Sequence, residues 1–128
     1  MLVGESGVTR RVIAAAIVVH TELGPGLLEG IYQECLAYEL EANGLHVRRE
    51  VKVPVRYRGA VLQREYRIDL LVEGALVVEV KAIDRLTGLH RSQLLTYLKV
   101  SGVSVGLLLN FNVRRLRDGI QRAVAGQW

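Results

Sequence analysis

Asp69, Glu79 and Lys81 lie in the stretch Arg67–Ile83, "RIDLLVEGALVVEVKAI", which is otherwise built mainly from Val, Leu, Ile and Ala. A buried charge without a partner costs several kcal/mol, so charges in such strands either pair with one another or hold something. Two neighbouring carboxylates repel. Their charge is relieved by a raised pKa, by an adjacent cation such as Lys81, or by a divalent metal ion. Carboxylate oxygens beside a backbone carbonyl are hard ligands suited to Mg²⁺ or Mn²⁺. Lys81, two residues past Glu79, would point into the same space and orient or deprotonate a water. The competing reading of the same residues is an ion-pair cluster at a strand end.

Which reading applies depends on the strands. Side chains alternate along a strand. Tyr66, Ile68, Leu70 and Val72, with Leu76, Val78, Val80 and Ala82, would form one wholly apolar face, and Arg67, Asp69, Leu71, Val77, Glu79 and Lys81 the other. A two-residue loop at Glu73-Gly74 would send Asp69 and Glu79 to opposite faces. A three-residue loop, Val72-Glu73-Gly74, would set Asp69 against Val77 with Glu79 as its diagonal neighbour, and it uses Gly74 in the left-handed position such turns need.

The remaining elements follow from periodicity and breakers. A helix is expected from about Thr9 to Leu23, capped by Thr9 or Ser6, and broken at "LGPG". A second runs to about Asn43, with Leu28, Ile31, Cys35, Leu36 and Leu40 at helical spacing and Gly44 as its left-handed terminator. "VKVPVRY" alternates as a strand, and Pro54 marks it as an edge or a bulge. "VLQREYRIDLLV" and "ALVVEVKAI" complete a meander. "TGLHRSQLLTYLKVSG" reads as a third helix ending at Gly102. "VGLLLNF" is a strand buried on both faces, expected parallel to a central strand. The tail from Asn112 suits either a short edge strand or a frayed helix.

The chain has 128 residues, the size of one domain with one core, and half of it is hydrophobic. The longest apolar run, Val12–Val19, is too short to span a bilayer, and no secretory leader is evident. A single cysteine, Cys35, excludes an internal disulfide, and a cytoplasmic setting is the default expectation. The net charge of +4 and pI near 9.6 permit nucleic-acid binding without requiring it. Arg48, Arg49, Lys52, Arg56, Arg58, Arg64 and Arg67 form one basic stretch; Arg114, Arg115, Arg117 and Arg122 form another. Two solvated faces would account for both.

Asp69 followed by Glu79-Val80-Lys81 resembles the D…(D/E)-x-K motif of the PD-(D/E)XK nuclease superfamily. "GLLEGIY", with Gly26, Glu29 and Tyr32, resembles the element that names the GxxExxY protein family within it. "HRSQLLTYLK", with His90, Gln93 and Tyr97, is similar to that family's H-x-x-Q-x-x-x-Y-L-K run, and "GLLLNFNV" and "DGIQR" are similar to its C-terminal part. The resemblance covers about Thr9 to Val124. It implies an α/β, restriction-endonuclease-like core, a mixed central sheet flanked by helices. Asp69, Glu79 and the Val80 carbonyl would hold Mg²⁺ or Mn²⁺, with Glu29 completing the site. Lys81 would position the attacking water, Gln93 would bond near the metal or phosphate, and Tyr97 would pack or contact the nucleic-acid backbone.

The leading function is therefore a metal-dependent nuclease, a hydrolase of phosphodiesters in DNA or RNA, with Arg67, Tyr97, Arg48, Arg49 and Arg56 contacting nucleic acid. The alternative is a catalytically idle module of the same fold that binds nucleic acid or a protein. Val18 stands where the resemblance would place a charge, and Val12–Val19 is apolar on every side, which suggests a homodimer covering Ile13, Ala16 and Ile17. His20 and His90 are expected to make helix-end hydrogen bonds rather than to act in catalysis. Tyr32 is expected to be a packed phenol with a hydrogen bond.

Overall fold

The computed structural model describes residues 7–126. Helices α1 (Gly7–Leu23) and α2 (Glu29–Ala42) come first, then strands β1 (Val47–Tyr57), β2 (Ala60–Val72) and β3 (Leu76–Lys81), helix α3 (Gly88–Ser101), and strands β4 (Val105–Asn110) and β5 (Ile120–Val124). The strands form one mixed sheet in the order β1-β2-β3-β4-β5. Only β3 and β4 are parallel, joined by α3 as the crossover. That leaves β4 buried along nearly its whole length, as its unbroken apolar run requires.

Two apolar layers sandwich the sheet. On one face Leu70, Val72, Val78, Val80, Leu107 and Leu109 pack against Val12, Ala16 and Val19 of α1 and Leu36 and Leu40 of α2. On the other, Ile68, Leu71, Val77 and Leu108 pack against Leu94, Tyr97 and Leu98 of α3. The second layer is thin over β4. A Cβ on Gly106 would stand 2.7 Å from Leu94 Cδ1 and 3.2 Å from Leu98 Cδ2, so α3 lies almost directly on that backbone.

Local signals placed the ends of most elements. Gly44 (φ 83°) and Gly102 (φ 74°) take the left-handed conformation after α2 and α3. His90 Nδ1 accepts the Thr87 N–H at 2.9 Å, closing a capping box at the start of α3. Pro54 sits in an edge strand beside a register shift. Several expectations are corrected. Helix α1 already begins at Gly7, so Thr9 is buried inside its first turn and does not cap it; Ser6 lies outside the described residues. The tail forms a 3₁₀ turn, Leu116–Gly119, and then the edge strand β5. Helix α1 buries Val12, Ala15, Ala16 and Val19 and turns Ile17 and Val18 outward at 45% and 52% exposure.

The β2–β3 hairpin is corrected twice. Its loop is Glu73-Gly74-Ala75, with Val72 opposite Leu76, Leu71 opposite Val77 and Leu70 opposite Val78. Both Glu73 (φ 56°) and Gly74 (φ 62°) are left-handed, which shifts the loop one residue beyond the place glycine chemistry alone suggested. Strict alternation also breaks at Asp69. Tyr66 and Ile68 face α3, whereas Leu70 and Val72 face α1 and α2. On β1 the break falls at Glu50 (φ 51°), between Arg49 opposite Leu70 and Val51 opposite Ile68.

Gly106→Ala should cost about 1–3 kcal/mol, because the new methyl must displace buried leucines. Urea unfolding monitored by circular dichroism should show a lower midpoint at an unchanged slope. An unchanged midpoint would mean that α3 is free to move off β4.

Candidate active site

The break at Asp69 builds the site. Asp69 is missing from both ladders that flank it. Its backbone is satisfied by side chains instead: its N–H donates to Glu79 Oε2 at 2.8 Å, and its carbonyl accepts from Gln33 Nε2 at 3.3 Å. In return, Asp69 Oδ2 accepts the Val80 N–H at 2.8 Å. Each carboxylate thus stitches one strand to the backbone of the other where the two separate. Among the described residues, no hydrogen bond engages the second oxygen of either group.

Glu79 is only 4% exposed. Burial and then the Asp69 charge push its pKa from 4.5 up to about 8, with the backbone bond and Lys81 pulling the other way. Asp69 is also raised, first by burial, then by Glu29 and Glu50, against the lowering effects of its Val80 bond and Lys81. Lys81 is therefore close enough to act on both. It forms no ion pair with either within 4.0 Å. An ion-pair cluster does not account for this pair of acids.

Glu29 is the first residue of α2, and its placement follows from Tyr32. The buried phenol donates to the Gly24 carbonyl at 2.6 Å and accepts the Leu27 N–H at 3.0 Å. It also stacks on Phe111 at 4.7 Å. Tyr32 thereby locks the bend in which Gly24 (φ 69°) and Gly26 (φ 96°) turn the chain into α2. Phe111 is held in turn by its N–H to the Lys81 carbonyl at 2.9 Å, and Asn110 clamps the residue after next to Lys81 through the Ile83 N–H and carbonyl.

The expected residues are gathered unevenly. Asp69, Glu79 and Lys81 come together where β3 ends beside the inner part of β2, with Tyr97 beside them. Burial, then Glu79 and Asp69, raise the Tyr97 hydroxyl to about 12, and its ring meets Tyr66 edge-on at 5.4 Å. Glu29 acts on both acids at longer range. Among the described residues, no three His, Cys, Asp or Glu side chains close into a metal-holding group. Gln93 lies exposed one turn before Tyr97 on α3, with no hydrogen bond to the acids among the described residues. Arg67 is exposed two residues before Asp69, and Arg48 and Arg49 are exposed on β1 beside Leu71 and Leu70. Arg56 pairs with Val61, about 26 Å along β2 from Asp69 at the usual rise per residue. His20 Nε2 meets the Val113 carbonyl at 2.8 Å, and His90 caps α3; neither approaches the acids through a hydrogen bond.

Two members were missed from sequence. Gln33 stands one turn after Glu29, on the same side of α2, a spacing that could have revealed it. Glu50 gave no signal, because its role comes from a positive φ in a strand.

A buried and a half-buried acid, Glu79 and Asp69, both with raised pKa values and one uncommitted oxygen each, suit a hard divalent cation. Mg²⁺ commonly binds through one or two carboxylates and keeps several waters, so a third acidic ligand is not required. The chain matches the model of the PD-(D/E)XK nuclease superfamily over residues 6–123, and it belongs to that superfamily. No curated protein matches it, and no solved structure does. The mixed sheet with flanking helices is the restriction-endonuclease-like core such membership entails. Among the described residues no helix is long and apolar enough to cross a membrane.

Glu79 takes up its proton more readily in the folded than in the unfolded chain. Its contribution to stability is therefore complete below pH 4.5 and is lost as pH rises toward about 8; Asp69 acts in the same direction. With a chelator present, urea midpoints should fall across that range, and Glu79→Gln should flatten the fall. A Glu79→Gln protein with the wild-type pH slope would refute the assignment.

Proposed function

We propose that this chain is a metal-dependent nuclease, hydrolysing phosphodiesters of DNA or RNA at the Asp69–Glu79–Lys81 site. The observation that carries this reading is the acid pair, Glu79 buried and Asp69 half-buried, each holding the other's strand, with Lys81 near but in no ion pair. A structural cluster would close that ion pair; a cation site leaves the charges unspent. Superfamily membership supports a nuclease-type activity. The Gly26, Glu29, Tyr32 spacing and the His90, Gln93, Tyr97 run favour the GxxExxY branch.

In this reading Asp69 and Glu79 hold Mg²⁺ or Mn²⁺ with the Val80 carbonyl, and Glu29 adds negative charge nearby. The bound ion would supply positive charge against the charge that develops on the phosphoryl oxygens. The chain's own residues do the remainder. Lys81 directs a water at phosphorus and offsets charge beside it. The water oxygen bonds to phosphorus and gives up a proton to solvent, while the bond to the leaving oxygen breaks and that oxygen takes a proton from solvent. Tyr97, kept protonated by its high pKa, can donate to a phosphate oxygen. Gln93, one turn away, and the exposed Arg67, Arg48 and Arg49 would contact the nucleic acid; Arg56 would meet only a longer substrate.

Lys81→Ala should abolish cleavage of labelled single-stranded, duplex and branched substrates while Mn²⁺ binding remains measurable. Asp69→Ala should remove both. Purified protein that cleaves none of these with Mg²⁺ or Mn²⁺ would leave the idle binding module as the reading.

Of the residues expected in a homodimer, Ala16 is instead buried in the core, so the homodimer rests on Ile17 and Val18, which are 45% and 52% exposed on α1. Sedimentation at micromolar concentration should show twice 14.2 kDa, and Ile17→Lys with Val18→Lys should return the monomer. A wild-type monomer would end that reading.

A further inference from the structure

A cleft opens between the C-terminal end of α1, the Leu23–Gly26 bend and the chain after β4. It has a volume of about 480 Å³ and is lined by His20, Thr21, Pro25, Arg114, Arg115 and Arg117, among others. Three guanidinium groups fall within four consecutive residues, all exposed. Among the described residues none of the three has a carboxylate within 4.0 Å. Their backbone is held from below. Leu116, between Arg115 and Arg117, is 3% exposed and belongs to the core. The Asp118 N–H donates to the Arg115 carbonyl at 3.0 Å, closing a 3₁₀ turn. Gly119 then passes so near the Asn110 carbonyl that any Cβ there would collide with it. His20 is 8% exposed and fixed by its Nε2–H to the Val113 carbonyl at 2.8 Å. A sequence merely solvating its surface has no need to seat three arginines on so rigid a turn.

The cleft is also tied to the acids. Asn110 pairs with Lys81 across β3 and β4, and Phe111 bonds to the Lys81 carbonyl and stacks on Tyr32, which holds Gly24 at the rim. Arg114 is four residues past Asn110 and so at most about 14 Å from it along the chain.

We propose that this cleft is a phosphate-binding site for the nucleic acid, in which Arg114, Arg115 and Arg117 take one or more backbone phosphates of the strand whose bond is held at Asp69 and Glu79. Guanidinium forks suit this, since they bind phosphate oxygens two at a time and remain charged. The proposal rests on the reading of the chain as a nucleic-acid-binding protein, but not on cleavage, and its test is made without metal.

The measurement is fluorescence anisotropy of a short labelled single-stranded DNA, and of the RNA of the same sequence, in the presence of a chelator. Arg114→Gln/Arg115→Gln/Arg117→Gln should weaken binding about tenfold or more at low salt, and the log–log salt dependence should fall by about 0.7 for each phosphate lost. A charge-matched control, Arg10→Gln/Arg58→Gln/Arg64→Gln, removes three exposed arginines elsewhere and should keep most of the affinity. Thermal unfolding checks that both variants fold. Equal losses in the two variants would show that only net charge matters, and wild-type affinity in the first would show that the cleft is idle; either overturns the proposal. If wild-type protein binds neither strand yet phosphorus NMR shows inorganic phosphate bound and lost in the first variant, the cleft is a small-anion site and the nucleic-acid assignment fails. If binding follows the expected pattern while no substrate is cut with metal, the cleft stands and the nuclease reading alone falls.

Discussion

One residue, Asp69, sits in a strand without taking part in its ladder, and the arrangement around it depends on that. A buried backbone N–H and carbonyl must find partners. Here Glu79 and Gln33 provide them, and Asp69 repays β3 by accepting the Val80 N–H. The price is a buried and a half-buried carboxylate kept close together, each with its pKa raised largely by burial. An apolar residue at either position would restore an ordinary hairpin end and remove that repulsion. The sequence keeps the acids, and with them an opening inside the sheet where β2 and β3 separate.

The other elements hold that opening in place. The crossover through α3 puts Tyr97 over it, and the close approach of α3 to Gly106 fixes the helix's height. On the opposite face, Tyr32 joins three things at once: the bend before α2, the ring of Phe111 and, through Phe111, the carbonyl of Lys81. Glu29 begins α2 at the end where the helix dipole favours a carboxylate, so its charge is directed at the site at little cost to the helix. A change at Tyr32 would therefore be felt at Glu29 and Lys81 together.

Much of this was legible from residue order. Glycines after helices, the unbroken apolar run of β4 and the shift from helical to alternating period located most elements and required the parallel crossover. The pairing of Asp69 with Glu79 was also expected, though by a register that the hairpin does not use. Alternation assumes a continuous ladder, and a residue that leaves the ladder for side-chain partners violates it without any local mark. Glu50 escaped notice for a like reason, a positive φ inside a strand, whereas Gln33 stood one turn after Glu29 and could have been read from that spacing. The arginines after β4 were visible as a charge run, but the rigid turn that seats them depends on Leu116 and Gly119 meeting the core and Asn110. The exposed side of α1 became clear only once its buried side was known.

The most direct test is a crystal structure of the protein with Mn²⁺, grown above pH 8 so that Glu79 is ionised, with the ion located by its anomalous scattering. The account predicts a peak bonded to Asp69 and Glu79 through the oxygens that the strands do not use, with the bonds to Asp69 N–H and Val80 N–H intact. Manganese absent from this pair at saturating concentration, or bound only at other carboxylates, would contradict the claim that these buried acids are a cation site.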